Sequence, residues 1–452
     1  MTSDTICAIA TAIGGAVSII RLSGPAAIAV AERVWHGRAA LPALPARQLT
    51  LGSLRRPDGG VIDPQCLAVV MPGPHSYTGE DVVELHCHGG ALCTRLALEE
   101  LLRQGARHAD PGEFTRRAFV NGRLDLTQAE AVADIISAGS ESALRLAGRQ
   151  LEGVLGRRIN HSYESLTEVL AEIESRLDFP EEELDWQSTS SLQVALQAAQ
   201  DDLRALAASR HDGEILRGGI SLVIAGPPNV GKSSLLNVIL GRDRAIVAEI
   251  PGTTRDTIEV PSTIRGIPIH LVDTAGIRAG GDSIERAGMA RAENNALSAD
   301  LILWVYDASQ PYAPQRWPEW PVAGKLIVVA NKCDKAPAAE QGGRAGAPAD
   351  AVCVSALFGT GLPALYDAIE RAVWQQPQGP ADNALAVAAR HGAHLERAVA
   401  ALDDARQAIG SDLWELAAPA LRSAIFDLGK ILGRSVDPDV LDTIFARFCI
   451  GK

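Results

Sequence analysis

One short stretch constrains this chain more than any other: Gly226-Pro-Pro-Asn-Val-Gly231-Lys232-Ser233. The GxxxxGK[ST] spacing has physical meaning only where a strand ends and a helix begins, because the loop must turn a run of backbone N–H groups toward a phosphate. Both flanks meet that condition. Residues 220–225 are a largely apolar run, as in a buried strand, and residues 234–240 read as helix. The glycines let the backbone approach the phosphates, Lys232 reaches the β and γ oxygens, and the Ser233 hydroxyl suits Mg²⁺.

The apolar runs at 269–272, 301–306, 326–330 and 352–354 repeat the strand signature, separated by helical stretches. Such alternation implies a parallel sheet with right-handed crossovers. This nucleotide unit is expected over 216–379. Ahead of it, residues 1–118 mix β-like runs (16–22, 66–71, 81–86) with Gly/Pro turns and one helix at 91–104, a small α+β domain. From 124 to 177, apolar residues recur in steps of three and four, including Leu144, Leu151, Leu155, Ile159, Leu166 and Ile173, the stripe of a long helix whose apolar face is bundle core; no proline interrupts it, although Gly148, Gly153 and Gly156 weaken it. Pro180 and the acids at 181–183 end it, and a further amphipathic segment spans Leu192 to Leu206. After Pro380 the chain returns to Ala- and Leu-rich helix. The fold class expected is therefore multidomain α+β and α/β: an N-terminal α+β domain over 1–118, a helical-bundle domain in two parts (119–215 and 380–452), and the phosphate-loop nucleotide domain inserted between them.

Composition narrows the function classes. At 452 residues, two to four domains are expected. A net charge of −13 argues against a protein that coats nucleic acid through phosphate contacts, and 4% aromatics against a stacking platform. The seven cysteines form no CxxC pair, which disfavours a zinc ribbon. The N-terminus lacks a basic start and long apolar core, and no apolar run reaches the roughly 18–20 residues of a membrane span. A reducing cytoplasm is the expected location.

Spacing then selects the nucleotide. Asp273-Thr274-Ala275-Gly276 closes the 269–272 strand, where an aspartate supports the Mg²⁺ shell and a glycine N–H meets the γ-phosphate. Asn331-Lys332-Cys333-Asp334 ends the 326–330 strand. A carboxylate at Asp334 accepts both N–H groups of guanine, a donor pair adenine lacks. Ser355-Ala356 caps the last strand, where a backbone amide meets guanine O6. Thr253 and Thr254 lie in the loop after the first helix, placed to complete Mg²⁺ coordination when the γ-phosphate is present. The expected GTP contacts are thus Asn229, Val230, Gly231, Lys232, Ser233 and Ser234. To these are added the loop Ala248, Glu249, Ile250, Pro251, Gly252, Thr253 and Thr254, and the motifs Asp273–Gly276, Asn331, Lys332, Asp334, Ser355 and Ala356. In this order the motifs resemble the TRAFAC class of GTPases. The residue after Gly276 is Ile277, which cannot orient a water, and no arginine is placed as an internal finger. Asn229, by its side-chain carbonyl, and carbonyls of the loop from Ala248 to Thr253 are candidate ligands for a monovalent cation instead. Glu285 is the nearest downstream carboxylate for the water.

Outside this unit three segments carry a closer resemblance. They are Asp4-Thr-Ile6 with Ile19-Ile-Arg21-Leu-Ser-Gly24; Tyr77-Thr-Gly-Glu-Asp-Val-Val-Glu84 with Gly89-Gly90, Pro111–Phe119 and Asn121–Glu130; and the terminus Phe448-Cys449-Ile450-Gly451-Lys452. Together they resemble the tRNA-modification GTPases of the MnmE (TrmE) family over essentially the whole chain. That resemblance implies a GTP hydrolase, activated by K⁺-dependent pairing of its GTPase units. It implies work with the FAD-dependent MnmG (GidA) protein, in a heterotetramer or larger complex, to add a carboxymethylaminomethyl-type group to C5 of the wobble uridine of certain tRNAs. The one-carbon unit would come from a tetrahydrofolate derivative, 5-formyl or methylene, bound by the N-terminal domain through which members form homodimers. By the same resemblance Asn229 with backbone groups of Ala248, Ile250 and Thr253 holds K⁺, Ser233 and Thr254 hold Mg²⁺, and Glu285 orients the water, with Lys232 and Asn229 sharing the catalytic role. Arg21, Glu84, Arg123 and Lys452 contact the folate. Arg123 stands where many members have lysine, and Ala248 replaces a serine or threonine seen in some.

Two further motifs stay open at this level. Cys449 sits in the terminal signature, as a buried small hydrophobe or a participant in chemistry. His86-Cys87-His88 puts two histidines on one strand face with no third and fourth metal ligand at useful spacing. The rival functional class is a ribosome-assembly or other K⁺-stimulated switch GTPase, which would lack the folate-type N-terminal domain and the Cys449-Ile-Gly-Lys452 terminus.

Overall fold

The computed structural model of the chain describes residues 4–179, 187–242, 259–272, 299–310, 326–335, 348, 350–374 and 387–452. They fall into two compact units, one of residues 1–133, 150–184 and 414–452 and the other of 134–149 and 185–413.

In the first unit a seven-stranded sheet is formed by β1 (Ile6–Ile9), β2 (Val17–Ser23), β3 (Trp35–Gly37), β4 (Thr50–Arg55), β5 (Val61–Met71), β6 (Val82–His88) and β7 (Arg107–His108), in spatial order β3-β4-β5-β6-β2-β1-β7. Neighbours are antiparallel except β1 and β7. Alternation along the strands sends Cys7, Ile20, Leu22, Val83 and Leu85 to one face, where they pack with Val30, Ala97 and Leu101 of the helices Ala27–Glu32 and Ala91–Arg103. The opposite face carries Ile6 and Ala8, packed with Phe114 of the helix Glu113–Val120.

The helical stretch departs from expectation. Residues 124–177 are not one helix but three, Leu126–Ser137, Glu141–Leu151 and Val154–Asp178. The last break falls at Gly153, whose φ of +79° is left-handed and costs an L-residue side chain what glycine is spared. Gly148, by contrast, stays inside its helix. In this unit Val154–Asp178 packs along the helix Trp414–Leu432, with Leu166, Val169 and Ile173 buried on one and Leu421, Ala424 and Leu428 on the other. The helix Pro438–Phe445 is capped by Asp437 and sets Ile444, Phe445 and Phe448 against Leu126 and Ala129.

In the second unit six strands form the sheet: β8 (Ile220–Ala225), β9 (Glu259–Ile264), β10 (Ile267–Val272), β11 (Leu301–Asp307), β12 (Leu326–Asn331) and β13 (Val352–Cys353), in order β13-β12-β11-β8-β10-β9. All pairings are parallel except β9 with β10. On one face their apolar side chains, among them Leu222, Ile224, Leu303 and Val329, pack against the helices Lys232–Arg242 and Leu362–Val373. The helix Thr189–Ala208, capped by Ser188, packs along Ala389–Gly410. Gln200 Nε2 donates there to the Val399 carbonyl at 3.1 Å and to Asp403 at 2.6 Å. Among the described residues no helix is long and apolar enough to cross a membrane.

Candidate functional site

The nucleotide cluster forms at the C-terminal ends of β8, β11, β12 and β13, where open α/β sheets bind ligands. Gly226 has φ +145°, and a Cβ there would stand 2.1 Å from the Val305 carbonyl, so only glycine lets the loop cross β11. Gly231 (φ +96°) is held as closely, with a virtual Cβ 2.3 Å from Asn331 Nδ2. Between them Asn229 takes a left-handed φ of +62°, a conformation asparagine tolerates better than most residues. Lys232 Nζ donates to the carbonyls of Gly226 (2.8 Å) and Pro227 (2.7 Å), closing the loop, while Ser233 and Ser234 are exposed at the start of their helix.

The second loop is fastened to the first. Asn331 is buried, and its side chain donates to the Val230 carbonyl at 2.8 Å while accepting from the Ala356 N–H at 3.0 Å. Lys332, at φ +63°, donates to the Asn229 carbonyl at 2.6 Å and to Asp307 Oδ2 at 2.7 Å. Ser355 Oγ donates to one oxygen of Asp334 at 2.6 Å, orienting the carboxylate and leaving its other oxygen to accept from a ligand. Burial pushes the Asp307 carboxyl up, but the Lys332 ammonium and two bonds from Ser309 outweigh it and hold it below the usual range. Asp307 was not singled out from sequence; its one signal is an acid at the end of a buried parallel strand. Ala248, Glu249, Ile250, Pro251, Gly252, Thr253, Thr254, Asp273, Thr274, Ala275, Gly276 and Glu285 lie outside the described residues.

The second cluster lies in the first unit, on the sheet face carrying Ile6 and Ala8. Arg21 and Glu84 are direct cross-strand partners, with Arg21 Nε donating to Glu84 Oε1 at 2.8 Å, and both side chains are more than four-fifths buried. The Arg21 guanidinium stands 5.6 Å from the Tyr77 ring centroid and 5.7 Å from that of Phe114. His86 Nε2 lies 3.4 Å from Glu84 Oε2, and this ring, opposed by burial and joined by Arg21, holds the Glu84 carboxyl below its ordinary range. Tyr77, His86 and Phe114 are thus neighbours of the pair that sequence reasoning passed over, since strand register and a helix crossing bring them in.

Arg123 borders the 77–81 loop, with its Cγ 3.3 Å from where a Cβ on Gly79 would stand. The terminus docks on β1: Gly451 (φ +99°) is buried with a virtual Cβ 2.4 Å from the Ile9 carbonyl, next to Ala8, the β-partner of Arg21. Lys452 is therefore in the same unit as the Arg21–Glu84 pair, and the terminus lies at the end of β1, the strand that pairs with Arg21's β2. Cys449 is exposed. His88 Nδ1 is bonded to buried Asp63 at 2.8 Å, so each histidine of the 86–88 motif has its own carboxylate. Among the described residues no group of three His, Cys, Asp or Glu side chains is arranged to hold a metal.

A cleft of about 690 Å³ in this unit adjoins the 77–81 loop, beside Gly79, Glu80, Arg107, Glu113 and Arg117. Its charges are spent within the protein: Arg107 and Arg117 both bind Glu113 (2.6 and 2.9 Å) and Asp4 (2.8 Å each). It reads as a structural ionic network, and the ligand chemistry is better placed on the two clusters above.

Comparison with known proteins agrees on the whole chain. Residues 5–123 match the family described as GTP-binding protein TrmE N-terminus, and residues 126–449 match the MnmE helical domain. The tRNA modification GTPase MnmE of Synechococcus sp. (strain JA-2-3B'a(2-13)) is 43% identical over 466 residues, covering 100% of this chain and 98% of that protein. Its counterpart from Symbiobacterium thermophilum is 44% identical over 464 residues, covering all of both, and that from Geotalea uraniireducens 42% over 462 residues, covering 99% of each. The chain belongs to the tRNA modification GTPase MnmE family.

Proposed function

We propose that this protein hydrolyses GTP to drive modification of C5 of the wobble uridine in certain tRNAs, using a tetrahydrofolate one-carbon unit and an FAD-dependent MnmG-type partner. The observation that carries the nucleotide half is the double fastening of the Asn331–Asp334 loop to the phosphate loop through Asn331 and Lys332. Phosphate and purine contacts are then one preorganised surface, in which Asp334 reads the guanine N1–H and 2-amino groups and Lys232 meets the phosphates. In this reading Ser233 and Thr254 hold Mg²⁺, which offsets charge on the β and γ oxygens.

Asn229 fits a K⁺ ligand, because its backbone carbonyl is engaged by Lys332 while its side chain stays exposed. Carbonyls of Ala248, Ile250 and Thr253 would complete that shell as two GTPase units pair, and Glu285 would orient the water. A K⁺ ion held there would supply the positive charge that an arginine finger brings elsewhere. The Arg21–Glu84 pair fits a folate: the carboxylate has lone pairs left for pterin N–H groups, the Tyr77 and Phe114 rings give an apolar wall, and Arg123 and Lys452 suit the anionic glutamate tail. Homodimerisation through residues 1–118, and the division 1–118, 119–215, 216–379 and 380–452, belong to the same proposal.

Titration with 5-formyl-tetrahydrofolate tests it. Binding by the wild type and its loss in Arg21→Ala are expected; no binding by the wild type favours a switch GTPase without modification chemistry. Hydrolysis should also be much faster in KCl than in NaCl, and equal rates would remove Asn229 as a cation ligand.

A further inference from the structure

Asp307 ends β11 and has no part in the reading above, yet its carboxylate is almost fully engaged. Ser309 donates to Oδ1 from both its N–H (2.9 Å) and its hydroxyl (2.6 Å), which fixes the rotamer. Oδ2 receives the Lys332 ammonium at 2.7 Å, with 11% of the Asp307 side chain and 29% of the Lys332 side chain exposed. Lys332 has left-handed backbone, and its ammonium makes a second bond to the carbonyl of Asn229, which is itself left-handed. A charged anchor on a strand end thus reaches, through one side chain, the loop residue whose backbone is held least comfortably. The Ala308 N–H also donates to the Asn331 carbonyl at 2.8 Å, so β11 and the purine loop are joined on both sides of the ion pair.

We propose that Asp307 is a positioning residue of the nucleotide site: it pins Lys332 onto the Asn229 carbonyl and thereby makes the purine loop and the cation-binding phosphate loop one mechanical element. The proposal rests on the GTP and K⁺ reading and extends it. Losing the Asp307 charge would loosen guanine-nucleotide retention and cation response together, although Asp307 touches neither ligand. A hydrogen bond to a charged group is worth enough that its loss changes an equilibrium about tenfold or more.

The test is a double-mutant cycle on the full chain, reading release of N-methylanthraniloyl-GDP and the KCl concentration for half-maximal GTP hydrolysis. Asp307→Asn should speed release about tenfold and raise the KCl requirement, with kcat at saturating GTP and KCl near the wild type. Asp307→Glu, which keeps the charge, should recover part of both effects. In a Lys332→Met background Asp307→Asn should add nothing. Asp300→Asn, at an exposed aspartate that accepts two bonds from Ser221 instead, should change neither readout. Additive effects of Asp307→Asn and Lys332→Met, no recovery by Asp307→Glu, or wild-type behaviour of Asp307→Asn would each overturn the proposal while leaving the GTP reading intact. A wild-type chain that binds no guanine nucleotide would overturn both.

Discussion

Replacing Gly451 by alanine isolates the contribution of the terminus to the proposed folate site around Arg21 and Glu84. The residue is buried at φ +99°, in the left-handed half of backbone space, where an L side chain costs roughly 1–2 kcal/mol. The new Cβ would also stand 2.4 Å from the Ile9 carbonyl oxygen and 3.0 Å from Ala10 Cα. Both are backbone atoms at the end of a paired strand, so neither can rotate away, and relief requires the terminal residues to leave β1. The conformational cost alone lowers the ratio of docked to undocked terminus about five- to thirtyfold, and the backbone clash adds to it. If Lys452 contacts the folate only when docked, 5-formyl-tetrahydrofolate affinity measured by titration calorimetry should fall about fivefold or more once the two costs together displace the terminus. GTP turnover should not change, since the nucleotide residues are all in the other unit. Ile450→Ala is the control, because that side chain is 56% exposed and should bind as the wild type does. Wild-type folate affinity in Gly451→Ala would refute the placement of Lys452 in that site.

Asn331→Ala leaves the Val230 carbonyl and the Ala356 N–H buried without their partner. At roughly 1–3 kcal/mol for each orphaned group, GDP affinity in a fluorescence titration should drop by about thirtyfold or more. Removing Arg117, which is 6% exposed and ion-paired with Glu113, Glu80 and Asp4, should destabilise the first unit by about 3 kcal/mol, since Arg107 still partners Glu113. Urea unfolding followed in that unit checks the value. The Arg107 bond first of all holds the Asp4 carboxyl low; for Glu113, burial is outweighed by Arg107, the Asp110 N–H and Arg117. Both acids therefore bind fewer protons folded than unfolded. Their stabilisation is present above the ordinary carboxylate range of about 4 and is lost as pH falls through it, so the urea midpoint should drop between about pH 5 and pH 3, and less steeply in Arg117→Ala.

What the sequence made legible was local chemistry. The Gly226–Ser233 loop and Asn331–Asp334 could be placed because each follows a six-residue apolar strand that reads by eye, and Ser355-Ala356 because the short apolar run at 352–354 comes next in the same order. The strand runs 16–22 and 81–86 lie within a residue or two of β2 and β6. β4 was not read, because its partly exposed Thr-Leu-Gly-Ser-Leu-Arg pattern is bulged against β5 and alternates poorly. Of the three glycines that weaken the helical stripe from Leu144 to Ile173, the pattern did not say that Gly153 is the one that breaks it, since apolar spacing resumes in phase after one left-handed residue. The Asp307–Lys332–Asn229 chain and the Tyr77, Phe114 and His86 surroundings of Arg21 join residues distant in sequence, and only strand order and register bring them together.

That GTP turnover here serves tRNA modification is tested most directly by the wobble uridine itself. Nucleoside analysis of tRNA from cells lacking this chain should show the C5 modification gone. It should return with the wild-type chain and not with Arg21→Ala or Glu285→Ala. A modified wobble uridine that persists without the chain would contradict the proposed function.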